Sequence, residues 1–319
     1  MTPSLRKGLT TGVYALHALM RAYEGARKSR QTCQAVSKKG PNDDEDVTVG
    51  CRIVATVAFC EDALERNPLK HAPYILEHLR LYAGKGVGVV TKAGLKAPVG
   101  YAAINPAPLE AMRRFIAAQP KESAPMYAAI GVIDGERIAK RTANEKVGVL
   151  GGLSILGTTG IVKPVSNAAY IESIRTELRV LAAQHERHVV FTLGNASLTQ
   201  AQRSHSSHRI VEIGNFIYDA LEAARDLGFH TIDFYIGVGK AAKIAQGFRN
   251  THNRYGSVDM QRLASLCNAS SQAAQSRTVK GFLKQLDNPE ACRKAIYNAA
   301  QRRLQAAFAP LHITLHHVR

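Results

Sequence analysis

From residue 168 onward the chain alternates between helical and strand-like hydrophobic periods, and this constrains its fold more than any other feature. Residues 168–184 carry a helical pattern, 188–193 a short apolar run rich in valine, 211–213 another, 219–226 a helix and 231–236 a third strand. Helices alternating with buried strands imply a parallel sheet with helical crossovers. Each strand runs into a small polar or glycine loop: Gly194-Asn195, Gly214-Asn215 and Gly237-Val238-Gly239-Lys240. In open α/β sheets ligands gather beyond the carboxyl ends of the strands, so these loops are expected to share one pocket. Residues 257–309 read as mainly helical and basic, and 313–318 as a final strand.

The first half has a different rhythm. Thr10-Thr11-Gly12 precedes a pattern that places Val13, Leu16, Leu19, Met20 and Tyr23 on one helical face, with the threonines expected to cap the helix. Such a helix end also favours anions. The acidic "NDDED" (residues 42–46) leads into a β-branched run, 47–60, that reads as strand. In "GKGVGVVTKAGL" (84–95) four glycines surround an apolar core and Lys92, as though backbone were exposed for contact. Residues 106–117 suit a helix, 126–133 a strand and 134–137 a turn, so a mixed α+β domain with antiparallel hairpins is expected. "GGLSILGTTGIVKPVS" (151–166) combines four glycines and adjacent threonines before a proline. The simplest reading of any one such cluster is a turn. The domain boundary is expected near Pro164, dividing 1–163 from 164–319.

Across 319 residues the formal net charge is +17, spread over the whole chain. So basic a molecule attracts anions, either nucleic acid or a small polycarboxylate or phosphorylated ligand. Against nucleic acid stand the low aromatic content of 6%, the absence of Trp and the lack of a recognition signature. Five scattered cysteines, none at C-x-x-C spacing, argue against a disulfide framework and a structural zinc site, and reduced thiols are expected. The first apolar run is interrupted by His17, so neither a signal peptide nor a spanning helix is expected, and the expected compartment is the cytoplasm. "GVGK" is not a P-loop, because Phe234 and Ala241 stand where Gly and Ser or Thr are needed. His316 and His317 are adjacent, would face opposite sides of a strand and make a poor metal pair, and no metal site is expected. His252 in "NTHN" and Asp46 are candidates for proton transfer or orientation.

Together, "LRKGLTTG" (5–12), "DDEDVT" (43–48), "GKGVGVVTKAGL", "AINP" (103–106), "GGLSILGTTGIVKPVS", "GNF" (214–216), "GKAAKIAQG" and "NTH" (250–252) resemble, in order, the CbiD family. The resemblance implies transfer of a methyl group from S-adenosylmethionine to ring carbon one of a cobalt-containing tetrapyrrole. It also implies an S5-like α+β domain followed by a Rossmann-like α/β domain. The carboxylates of such a macrocycle would account for the basic charge. The matched motifs make Arg6, Thr10, Thr11, Lys92, Asn105, Ser154, Lys163 and Lys240 candidate substrate contacts. Thr158, Thr159 and Gly160, with Gly194, Asn195, Gly214 and Asn215, become candidate contacts of the methyl donor. Methyl transfer is an in-line displacement that depends chiefly on positioning, so no indispensable base is expected. The chain departs from the family pattern at Gly237, where a His is usual, at Tyr14, where a Cys is usual, and beyond Asp259. A corrinoid-binding homologue without turnover, or a basic nucleic-acid-binding protein, is the alternative. A tetrapyrrole substrate, no nucleic acid and no membrane are the expected partner set, and an oligomer is open.

Overall fold

The computed structural model describes residues 6–43, 46–157, 160–162 and 167–318. The chain forms two compact units, Met1–Asn167 and Ala168–Arg319. In the first, the elements run β1 (Gly8–Leu9), α1 (Thr11–Ser29), β2 (Cys33–Lys38), β3 (Arg52–Ala58), β4 (Tyr74–Leu76), β5 (Leu79–Ala83), β6 (Gly86–Val87) and β7 (Val89–Val90). They continue with α2 (Pro106–Ala117), β8 (Met126–Val132), α3 (Gly135–Ala139), β9 (Val149–Leu150), β10 (Gly152–Leu153) and β11 (Ile161–Val162).

A five-stranded sheet, ordered β2-β3-β8-β5-β4, carries this unit. Its pairs are antiparallel except β5 with β8. Alternation fixes its faces: Ile53, Ala55 and Val57 are fully buried while Val54 and Thr56 between them are not. The buried stripe of α1 is Ala15, Ala18, Leu19, Ala22, Tyr23 and Ala26. Val13, Leu16 and Met20, expected on that face, are only half-buried. The alanines let the helix axis lie close to the sheet, and large side chains at those positions would hold it away. Residues 47–50 form a turn rather than strand, because Asp46 accepts hydrogen bonds from the amide and hydroxyl of Thr48. The glycines of 84–88 are buried rather than exposed. Gly86 has φ +77°, and a Cβ there would lie 2.0 Å from the Val132 carbonyl oxygen. Backbone packing on backbone therefore requires glycine at that position.

The second unit runs α4 (Asn167–Ala183), β12 (His188–Thr192), α5 (Asn195–Ala201), β13 (Ile210–Glu212), α6 (Ile217–Asp226) and β14 (Thr231–Gly237). It ends with α7 (Val238–Ala245), α8 (Met260–Cys267), α9 (Val279–Leu283), α10 (Pro289–Ala307) and β15 (His312–Val318). Its sheet is wholly parallel, in the order β13-β12-β14-β15. Val189, Phe191, Ile232, Phe234, Ile236 and Ile313 pack on one face with residues of α4, α6, α7 and α10. Each such side chain contributes about 1.5–3 kcal/mol by leaving water. On the other face Val190, Ile210 and Tyr235 meet Ala201 and Leu198 of α5. The connections after β12 and β14 thus leave on opposite faces, the arrangement beyond whose carboxyl ends open α/β sheets bind ligands.

Two expectations for this unit change. Residues 195–201 are helix, not loop, with the Ser197 hydroxyl accepting from Leu193 N and donating to Gly194 O. Cys267 and Cys292 are joined as a disulfide, whereas reduced thiols were expected. The end of α8 and the start of α10 bring their Cα atoms to 4.8 Å, within bridging range. Spacing along the chain carried no sign of this tertiary proximity.

Candidate functional site

In the first unit the glycine- and threonine-rich motifs interlock around the amino ends of α1 and α2. β1 pairs with β11, Thr10 N donates to Gly160 O, and Gly12 N donates to Leu156 O. Thr11 donates its hydroxyl to Leu156 O and accepts from Leu156 N. Asn105 N donates to Ile155 O, setting "AINP" alongside "LSIL". β10 pairs with β6, and Gly88 N donates to Leu153 O. Gly12 is forced by this crowding, since a Cβ there would come within 2.8 Å of Pro108 and 2.9 Å of the Leu156 carbonyl oxygen.

The threonines do not cap α1 as expected. Thr10 is the N-cap residue but makes no side-chain cap bond, and its buried Oγ1 has no partner among the described residues. Thr11 is spent on Leu156. Two helix amino ends and an unpaired hydroxyl thus lie beside the Ser154–Gly157 segment, a setting that favours anionic groups. Asn105 is the N-cap of α2 and also makes no side-chain cap bond. Ser154 Oγ lies 3.5 Å from Asn144 Oδ1. Lys92 donates to the Lys146 carbonyl, and Arg6 is exposed and paired with Asp43. Thr158, Thr159 and Lys163 lie outside the described residues.

Asp46 is committed elsewhere. Its carboxylate pairs with the Lys39 ammonium, whose side chain is 1% exposed, and accepts from Asn42 and Thr48. Burial alone would raise the Asp46 carboxyl, but hydrogen bonds from Lys39 and Thr48 and the Lys39 charge hold it below its ordinary value.

In the second unit the strand-end loops follow β12, β13 and β14. Gly194, with φ +144°, caps α5. Asn215 Oδ1 accepts from the buried Thr251 hydroxyl at 2.9 Å, joining the loop after β13 to "NTH". Lys243, almost wholly buried, donates to Thr251 O and Asn253 Oδ1 and fixes the same segment. His252 is exposed, and its Nδ1 accepts from Arg254 N. A Cβ built at Gly194, Gly237 or Gly239 meets nothing within 4 Å, so open space lies before these residues. Lys240, in the first turn of α7, is half-buried with no hydrogen bond or ion pair among the described residues. Burial and then the charge of Lys243 hold its ammonium below the ordinary lysine value. At the foot of these loops, the Thr192 hydroxyl is buried without a partner among the described residues.

Beside Val238 and Val318 lies a cavity of about 550 Å³ that the motifs did not indicate. Lys280, Lys284, Glu290, Arg293 and His317 line it. Arg293 is 3.1 Å from Glu290 and 2.8 Å from His317 Nε2. These residues come from α9 and its C-cap Lys284, α10 and β15, and their only trace in the sequence was the general basicity of the carboxyl-terminal part. No described helix is long and apolar enough to cross a membrane.

Residues 17–164 match the CbiD family. A cobalt-precorrin-5B C(1)-methyltransferase of Methanobrevibacter smithii is 33% identical over 273 residues, covering 83% of this chain and 73% of its own. The chain belongs to the CbiD family. Within it, a cobalt-precorrin-5B C(1)-methyltransferase of Burkholderia lata is 38% identical over 254 residues, which are 77% of this chain and 66% of that protein. The chain therefore spans just under two thirds of the Burkholderia protein. A crystal structure of a CbiD cobalamin biosynthesis protein from Archaeoglobus fulgidus is 26% identical, covers 79% of this chain and 83% of its own, and superposes with a TM-score of 0.38.

Proposed function

We propose that this chain methylates C1 of cobalt-precorrin-5B with S-adenosylmethionine as donor, in cobalamin biosynthesis. The observation that carries the reading is family membership: relatives at 33–38% identity bear this activity as their name. The order of motifs around α1 and α2 supports it, as does a parallel sheet whose connections after β12 and β14 leave on opposite faces. Under this reading the first unit is the S5-like domain and the second the Rossmann-like domain, and the protein works in the cytoplasm.

The second unit fits the donor on the observations above. Open space before Gly194, Gly237 and Gly239 allows close approach, and the backbone and amide groups of Asn195, Gly214 and Asn215 can hold an amino-acid moiety. Bound there, S-adenosylmethionine would supply an electrophilic methyl group. The remaining work is positioning. The macrocycle's carboxylates are drawn by the basic surface and oriented by Lys240 and the lysines lining the nearby cavity. Within the first unit, taken by itself, the Thr10 hydroxyl and the amino ends of α1 and α2 form a setting that favours anionic groups. His252, exposed beside Thr251, serves to orient substrate or hold a proton near the acceptor. Asp46 serves the fold through Lys39 and not the chemistry. Cobalt arrives with the substrate.

The test is incubation of the protein with S-adenosylmethionine and cobalt-precorrin-5B, followed by mass analysis. A gain of one methyl group supports the reading. Donor and corrinoid binding without any mass change would leave a corrinoid-binding homologue instead. Binding to generic duplex DNA with a steep log-log salt slope and no corrinoid affinity would favour a nucleic-acid-binding protein.

A further inference from the structure

The face of the second sheet that carries α5 is covered only in part, and away from the helix it presents a cluster that the proposed methyl transfer does not use. His188 opens β12, Asp233 lies in the amino-terminal half of β14, His316 lies on β15, and His205 follows α5. Register explains the convergence. Val190 is opposite Asp233 and Tyr235 is opposite His316, so two-residue steps along each strand bring His188, Asp233 and His316 to one face. The Asp233 carboxylate, 17% exposed, takes His188 Nε2 on Oδ2 at 2.7 Å and His316 Nε2 on Oδ1 at 2.6 Å. His205 Nε2 lies 4.0 Å from Oδ2 and 3.1 Å from the Tyr235 hydroxyl.

We propose that His188, His205 and Asp233 form a binding site for a divalent transition-metal ion of the zinc class, with His316 orienting the carboxylate. One ligand atom from each of the three lies within 4.8 Å of the others. A tetrahedral ion with bonds of about 2.0–2.1 Å needs its donors about 3.3 Å apart. Opening the His188–Asp233 contact takes about 0.6 Å, closing the His205–Asp233 gap about 0.7 Å, and drawing the two imidazoles together at most about 1.5 Å, in side chains that are 17–30% exposed. Two imidazoles and one carboxylate select borderline ions over magnesium or calcium, which take oxygen ligands. The ligand set leaves a fourth position to water. His316 on the outer carboxylate oxygen and Tyr235, stacked on His316 with ring centroids 4.5 Å apart, supply the surrounding support that such sites use to aim their ligands. Two ligands stand on neighbouring strands and the third on the segment after α5, so a bound ion would fasten that segment to the sheet.

The experiment is titration of chelator-treated protein with Zn²⁺ in competition with a chromogenic chelator, comparing the parent with Asp233→Asn, His205→Gln, His316→Ala and His17→Ala. His17 is exposed on α1 and serves as the control. The expected result is one saturable equivalent per chain in the parent and in His17→Ala. Affinity should fall at least about 100-fold in Asp233→Asn and His205→Gln. In His316→Ala it should fall about 10- to 100-fold while one equivalent is still bound. Titration with Co²⁺ should give visible d–d bands without a thiolate charge-transfer band, and Zn²⁺ should raise the parent's Tm but not that of Asp233→Asn. His205→Gln alters a residue outside the sheet, so it keeps the test valid if Asp233→Asn does not fold. Absence of a saturable equivalent in the parent, equal affinity in parent and His205→Gln, or a thiolate band pointing to Cys33, Cys51 or Cys60 would each overturn the proposal.

Discussion

Asp46, a candidate for proton transfer or orientation from its sequence setting, is paired in the structure with the buried Lys39 ammonium. The Lys39 side chain is 1% exposed and that of Asp46 17%, so removing the carboxylate charge leaves a buried ammonium without its counter-charge. Asp46→Asn is expected to cost about 3–5 kcal/mol of stability in urea denaturation. The folded Asp46 carboxyl is held below its ordinary value, so its contribution is full above the unfolded pKa of about 3.9 and is lost as pH falls through the lower folded value. The parent should therefore lose stability in acid more steeply than Asp46→Asn, and parallel acid limbs would refute the pairing. Lys240 is the opposite case. Its pKa is lowered by burial and by Lys243, so the fold disfavours its charge, and stability rises as pH climbs through the folded value toward the ordinary lysine value. Lys240→Met is expected to keep or gain stability at pH 7 while raising the substrate constant about tenfold or more and sparing the donor constant. Equal changes in both constants would remove Lys240 from the substrate site.

At the scale of elements, α7 offers a probe that separates stability from binding. Gly239 is helical with open space before it, so Gly239→Ala should raise stability by about 0.5–1 kcal/mol through helix propensity. Its added methyl points into the region assigned to ligand, so calorimetric affinity for S-adenosylmethionine or substrate should fall in the same variant. A more stable variant with unchanged affinity for both would move the site away from α7. Gly86 behaves in the contrary way. With φ +77° and the Val132 carbonyl oxygen in the path of a Cβ, Gly86→Ala should destabilise the first unit by at least about 2 kcal/mol in thermal unfolding, with the loss coming from backbone contact rather than any ligand.

For the whole molecule, the net charge of +17 acts on encounter more than on the fold. Association with a polycarboxylate macrocycle should slow as ionic strength rises, whereas affinity for the donor, a net cation through its sulfonium, should hold or rise. Stopped-flow measurements at low and physiological salt check both. Donor binding should also stabilise the second unit by mass action, about 2.7 kcal/mol at a hundredfold excess over Kd. Hydrogen exchange should then slow at residues 194–195, 214–215 and 237–240, and protection confined to the first unit would contradict the assignment of the donor loops.

Periodicity determined much by itself. The parallel sheet of the second unit was legible because its buried strands are short and apolar with helical stretches before the first and between 213 and 231, and strand ends are marked by glycine and asparagine, whereas the helix at 195–201 was not legible. The motif set around residues 10–12, 84–95 and 151–162 was legible because glycine and threonine cluster only where backbones crowd or turn. Tertiary structure decided what depends on distance between remote segments. It set the burial of Lys39 on Asp46, the joining of Cys267 to Cys292, the basic cavity lined by Lys280 and Arg293, and the meeting of His188, His205, Asp233 and His316. Those residues lie up to about 130 positions apart, and no local period relates them. Only strand order and register bring them within bonding distance.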